Sequence, residues 1–307
     1  MHLRYEEDFV EEAVLLCARG RRKGASSLHV ARFHYEREKL YQILDPDERN
    51  AAFFRLHLEW FREWGLETSL TGLLDEFPLL PKALDVLAFR KSRGKNDDGT
   101  ELYVNEAGNR SGVVALRPER LARDQQLRAF LRHELTHLQD MVDPAFGYRP
   151  ELPLAGAFVS QHRAAQERYR LLWDVTIDGR LTSGLRDTVA TKDQRLAEFA
   201  AAFAFWPEAK QRETFEALWS NSAPTHQMLV ELVCDPRQAQ ANVGPRPGAP
   251  CPLCGFPTFA WATAASLSER AMSSIRSEYP HWTPEQGACA RCSEIYRVNR
   301  PQALSVV

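Results

Sequence analysis

Residues 133–137 read His-Glu-Leu-Thr-His, inside the segment RAFLRHELTHLQDMVD (128–143). On a helix, residues four apart lie one above the other, so the imidazoles of His133 and His137 can face one ion with Glu134 beside them. With a third protein ligand, such a zinc ion keeps one position for water, whose pKa falls toward neutrality. Glu134 is then placed to take the water's proton as general base and to return it to a departing amine. A second set of ligands follows in CPLCG (251–255) and CARC (289–292), which offer Cys251, Cys254, Cys289 and Cys292. Four thiolates make a closed tetrahedral zinc site, structural rather than catalytic. In a module of about fifty residues, metal supplies folding energy that the small core cannot.

These residues need elements to position them. From Asp124, the residues Leu127, Phe130, Leu131, Leu135 and Leu138 recur at spacings of three and four, which predicts a helix with one apolar face. Before it, DVLAFRK (85–91), TELYVNE (100–106) and GVVALRP (112–118) read as short strands separated by Gly, Asn and Asp. After the loop DPAFGYRPELPLAG, a long helix is expected from about Ser160 to about Leu181. Three more should follow, over Thr191–Phe205, Pro207–Trp219 and Thr225–Cys234. The first third reads as three helices: RYEEDFVEEAVLLCARG ending at Gly20, a second starting at a Ser cap in SSLHVARFHYEREKLYQIL, and a third with Asp45 as cap and Pro46 in its first turn, stopping at Gly65. His29, His34 and His57 on these helices read as packing or surface residues. The expected domains are 1–77 (helical), 78–234 (the HELTH domain), a linker over 235–250, and a cysteine module over 251–307 that contains one helix, SLSERAMSSIRSEY, between its cysteine pairs.

The chain has 307 residues, 44% hydrophobic and 26% charged, with a net charge of -2. That balance fits a chain with a real core and gives no bulk electrostatic pull toward nucleic acid or membrane. The basic cluster CARGRRKGAS (17–26) reads as a solvated turn. The opening MHLRYEEDFVEE is too acidic for a signal peptide, and LAEFAAAFAFW (196–206) is too short to span a bilayer. The expectation is therefore a cytoplasmic protein with no membrane partner. In that compartment disulfides are rare, and the unpaired Cys17 and Cys234 read as buried packing residues.

On the H-E-x-x-H motif and the order sheet, motif helix, second long helix, residues 85–182 resemble the zincin metallopeptidases. The resemblance implies an α+β, mainly helical fold in which His133 and His137 are zinc ligands and Glu134 is the general base. It also implies a third ligand on the following helix and a last strand, here GVVALRP, that pairs with extended substrate backbone. No third histidine follows the motif closely, since the run continues LQDMVD. The segment QERYRLLWDVTIDGRL (166–181) instead offers Asp174 and Asp178, four apart on one face. WDVTID is similar to the Trp-Asn-x-x-x-Asp segment of some bacterial metallopeptidases, in which the later Asp is the ligand. That likeness puts Asp178 first, Asp174 next and Glu167 third. The acid not bound to metal would orient a zinc-bound histidine. Tyr148, His162, Tyr169 and His226 are candidates for stabilising an oxyanion; Asp140 reads as a surface charge near the helix end.

The cysteine module resembles zinc ribbons and treble clefs, with GACARCSEIY as the second knuckle running into a helix and His281 as a spare ligand. Such modules contact proteins or nucleic acid, or cap a fold. Its arginines (Arg270, Arg276, Arg291, Arg297, Arg300) are offset by Glu269, Glu278, Glu285 and Glu294, and Trp261, Trp282 and Tyr296 read as core, with base stacking the lesser alternative. The expected function is hydrolysis of peptide bonds in a protein or peptide substrate, with one catalytic and one structural zinc. Two alternatives stand beside it: a non-catalytic zinc-binding adaptor, and a protease organised like the SprT-like enzymes, which act on DNA-bound proteins.

Overall fold

The structure is a computed structural model, and it describes residues 1–21, 26–94, 97–150, 152, 159–233, 247–262, 266–279 and 282–298. The chain divides into two compact units: Met1–Leu152 with Tyr169–Leu229, and Pro153–Arg168 with Val230–Val307.

The first unit is built on a four-stranded sheet of order β1-β2-β4-β3. Its strands are β1 (His2–Tyr5), β2 (Val86–Lys91), β3 (Gly99–Val104) and β4 (Arg110–Leu116). β1 and β2 are parallel, as are β2 and β4, whereas β3 runs antiparallel to β4. The strand β1 replaces the start of the helix expected from residue 4. Four residues carry no periodicity signal of their own, and β1 exists because it pairs with β2, more than eighty residues away. The helices of the first third are α1 (Glu7–Leu16), α2 (Ser27–Leu40) and α3 (Pro46–Glu63), followed by the short α4 (Leu66–Thr71) and α5 (Leu80–Ala83). Their ends follow local rules. Ser26 accepts a hydrogen bond from the His29 backbone N–H, Asp45 accepts from that of Glu48 with Pro46 next, and Gly65 after α3 has φ 66°.

Next come α6 (Asp124–Val142), α7 (Val159–Ser183), α8 (Lys192–Ala202), α9 (Glu208–Trp219) and α10 (His226–Val233). One hydrophobic core joins Phe9 and Val14 of α1, Trp60 and Phe61 of α3, Leu87 and Phe89 of β2, Val114 of β4, and Leu131, Leu135 and Leu138 of α6. The boundary expected between residues 77 and 78 therefore runs through the middle of a core. Gly112 on β4 sets how closely α6 approaches, because a Cβ there would lie 2.6 Å from Leu138 Cδ2. The motif helix thus lies against the sheet with almost its whole circumference buried.

The cysteine module holds two short antiparallel pairs, β5 (Ala249–Pro250) with β6 (Pro257–Thr258) and β7 (Trp261–Ala262) with β8 (Ala288–Cys289). The helix expected between the cysteine pairs is α11 (Glu269–Glu278), capped by Ser268, and α12 (Ala290–Val298) follows the second pair. Cys234, residues 235–246 of the expected linker, His281 and Arg300 lie outside the described residues; residues 249–250 of that linker are strand. Among the described residues, no helix is long and apolar enough to cross a membrane.

Candidate metal centre

α6 places His133 and His137 one turn apart, with ring centroids 5.0 Å from each other, and all three motif residues are buried. α7 brings Asp174 against them: its Oδ1 lies 2.9 Å from His137 Nε2 and 3.3 Å from His133 Nε2. Donor atoms of His133, His137 and Asp174 fall within 4.8 Å of one another, so the three could hold a metal ion. Donors at about 2.0–2.1 Å from a tetrahedral zinc lie about 3.3 Å apart, close to the spacing found.

Asp178 occupies the other position. Its Oδ1 accepts a hydrogen bond of 3.0 Å from His133 Nδ1, the ring nitrogen facing away from Asp174. A single ion cannot use both acids, because the His133 ring stands between them. The preference for Asp178 over Asp174 is thus reversed: Asp174 sits with the imidazoles, and Asp178, fully buried, fixes the His133 tautomer that leaves Nε2 free to coordinate. Glu167, the third choice, is exposed and paired with Arg163 at 3.1 Å.

Arg195 on α8 completes the group and carries no local sequence signature. It donates to Asp178 Oδ2 at 2.7 Å, lies 3.5 Å from Asp174 Oδ2 and pairs with Glu198 at 2.9 Å. One signal was available: Arg195 and Phe199 are four apart and share the buried face of α8, and a buried guanidinium must find carboxylates. Burial alone would lower the pKa of His133, but the hydrogen bonds its ring donates to Asp174 and Asp178 outweigh it and push the pKa up to about 10. Burial would likewise raise that of Asp174, yet the two histidines hold its carboxyl well below the usual carboxylate range. A cation bound by these groups would have to displace a proton from the ring.

Glu134 is steadied from the sheet, where Thr100 Oγ1 on β3 donates to its Oε2 at 3.1 Å. GVVALRP does not lie along this cleft as expected. β4 is interior, with β2 and β3 using both its edges, and the strand next to Glu134 with an open edge is β3. Asp140, expected at the surface, is buried and accepts from Trp173 Nε1 at 2.7 Å and from both Arg180 nitrogens at 2.9 and 2.6 Å. It anchors α7 to α6 and thereby fixes which acid of α7 meets the histidines.

Trp173 packs 4.5 Å from the His137 ring, and Tyr148 and Tyr169 line the same hollow. Tyr169 OH is held 2.6 Å from His226 Nδ1. Burial, with Arg149 adding to it, lowers the pKa of His226, which keeps that ring neutral and able to accept. The Tyr148 hydroxyl has no hydrogen-bond partner among the described residues, and burial raises its pKa, so it stays protonated. The side chain of His162 lies outside the description. On the other side of Glu134, a polar hollow of about 970 Å³ is bordered by His133, Asp174, Arg170 and Arg195.

The four paired cysteines also converge, with sulfurs within 4.8 Å of one another. Cys254 Sγ and Cys289 Sγ are 3.8 Å apart, the separation of two thiolates each about 2.3 Å from a tetrahedral zinc. The backbone N–H of Cys289 donates to Cys251 Sγ at 3.2 Å and that of Cys292 to Cys289 Sγ at 3.3 Å. Burial raises the Cys251 thiol's pKa, but the backbone donors of Cys289, Cys254 and Leu253 bring it below its ordinary value. Trp282 and Tyr296 are buried and hydrogen-bonded, to Gly287 O and Glu278, so neither is free to stack. A scan of protein-family models, a search of curated proteins and a search of solved structures each find no match to this chain.

Proposed function

We propose that this chain is a zinc-dependent peptidase of the zincin type, with a second, structural zinc in the cysteine module. The observation that carries the proposal is the convergence of His133, His137 and Asp174 within 4.8 Å, beside a carboxylate that binds none of them. A zinc ion held there supplies a Lewis acid that polarises a carbonyl and acidifies water. Thr100 occupies one oxygen of Glu134 and leaves the other to take the proton of the attacking water and pass it to the departing amine. The Tyr148 phenol, a donor on the His137 side with no partner among the described residues, stabilises the oxyanion. The open edge of β3 pairs with an extended substrate backbone, and Asp178 and Arg195 hold His133 and Asp174 in place. An acid as third ligand sets the site apart from the SprT-like organisation, which uses a histidine.

The test is Glu134→Gln with metal content measured in parallel. The general-base role predicts a fall in peptide hydrolysis of about 10²–10⁴-fold with metal retained. Unchanged hydrolysis would remove Glu134 from the chemistry. Absence of any hydrolysis by the wild type would leave the adaptor alternative, which needs no water-activating residue.

A further inference from the structure

Resting on that reading, we propose that Arg170 binds the terminal carboxylate of the substrate, so that the site removes single residues from the carboxy end of a peptide. Around the two hollows that meet at Glu134, the other cations among the described residues are paired. Arg195 serves Asp174, Asp178 and Glu198; Arg120 pairs with Asp98, Arg90 with Asp97, and Lys192 with Glu216; Arg186 lies 3.9 Å from Glu76. Arg170 borders both hollows. It makes no hydrogen bond or ion pair among the described residues. It stands on α7 one turn before Asp174, so the helix that brings the third metal ligand also presents this guanidinium.

Its position relative to Glu134 limits what it can reach. Arg170 Nη2 lies 3.4 Å, and Glu134 Oε2 3.7 Å, from the point where a side chain on Gly99 would begin. Gly99 leaves that space open at the start of β3. The two groups flank one small space and stand at most about 7 Å apart, so a carboxylate against the guanidinium brings the last peptide carbonyl, about 3.5 Å of chain back, nearest to Glu134. A planar guanidinium grips a carboxylate through two parallel hydrogen bonds, which fixes the substrate's register as well as its end. In the reaction, water adds to the last peptide carbonyl, the C–N bond breaks, and one amino acid leaves with the returned proton on its nitrogen.

The experiment uses a matched pair of peptides, one ending in a free carboxylate and one in a carboxamide, with products read by mass spectrometry. Wild type should release the terminal residue of the free acid about 10–100-fold faster in kcat/KM, the worth of a hydrogen-bonded charge. Arg170→Gln should bring the ratio near one, and Arg170→Lys should restore part of it. In the zinc-loaded Glu134→Gln protein, the free acid should bind tighter than the amide by a similar factor, and adding Arg170→Gln should abolish that difference. Internal cleavage with no preference for either terminus, or equal slowing of both peptides by Arg170→Gln, would overturn the proposal. A binding preference that depends on Arg170 but comes without turnover would uphold Arg170 as the carboxylate's partner and defeat the peptidase reading, and residue removal with it.

Discussion

The two candidate metal clusters are held in opposite ways. His133, His137 and Asp174 stand on long helices, and α6 is set into a core that runs from Tyr5 to Val142. Nothing about that core requires an ion. In the cysteine module the order is reversed: Cys251, Cys289 and Cys292 are themselves members of a small core with Leu253, Ile275, Trp282 and Tyr296. The first cluster is asymmetric, mixes nitrogen with oxygen and opens on hollows, whereas the second uses four equivalent sulfurs. A fold that holds a metal can leave one side of it for chemistry; a metal that holds a fold cannot.

The largest expected effect breaks the comparison at the module. Cys292→Ser, or strong chelation, should withdraw on the order of 10 kcal/mol of folding free energy from residues 247–298. The first unit should keep its cooperative transition, which proteolysis and calorimetry would show separately. Simultaneous loss of both units would mean that the larger core depends on metal too. A smaller effect sharpens the assignment within the first cluster. Asp178→Asn should weaken metal binding by about 10–100-fold, as loss of a hydrogen bond behind a ligand does, and Asp174→Asn should exceed that by removing the ligand itself. The reverse order, read by competition with a chelating dye, would hand the third position back to Asp178.

A pH effect belongs to neither cluster. His57 is buried beside Phe33 and Phe53 with Nε2 unpaired, and burial, with Arg37 adding, lowers its pKa to about 4 from the usual 6.5. The unfolded chain therefore binds the extra proton first as pH falls. The stabilisation is complete above pH 6.5 and lost progressively toward pH 4, about 3 kcal/mol at 1.36 kcal/mol per pKa unit. Urea midpoints of the first unit should fall over that window, and His57→Phe should flatten the slope. An unchanged slope would place the acid sensitivity elsewhere.

What the sequence disclosed was local. The five-residue motif, the Ser26 and Asp45 caps, three of the four strands and the cysteine spacing all depend on neighbours within a turn or a hairpin. The misses were set by distant partners. β1 exists only through β2, and β4 reads as the cleft strand because sheet order is not written in any one strand. Asp174 and Asp178 share a helix face, and the rotation that chooses between them is fixed by Trp173 and Arg180 on the buried Asp140. In the module, Trp282 and Tyr296 are core, the preferred reading, while Phe256 and Phe259 are 70% and 80% exposed.

Metal content per chain tests the central claim most directly. Wild type should carry two zinc ions, and His137→Ala should carry one, with the remaining ion lost only when the cysteines are replaced or stripped. A wild type with a single ion that survives His137→Ala would show that α6 and α7 hold no metal, and the proposed chemistry would have no centre.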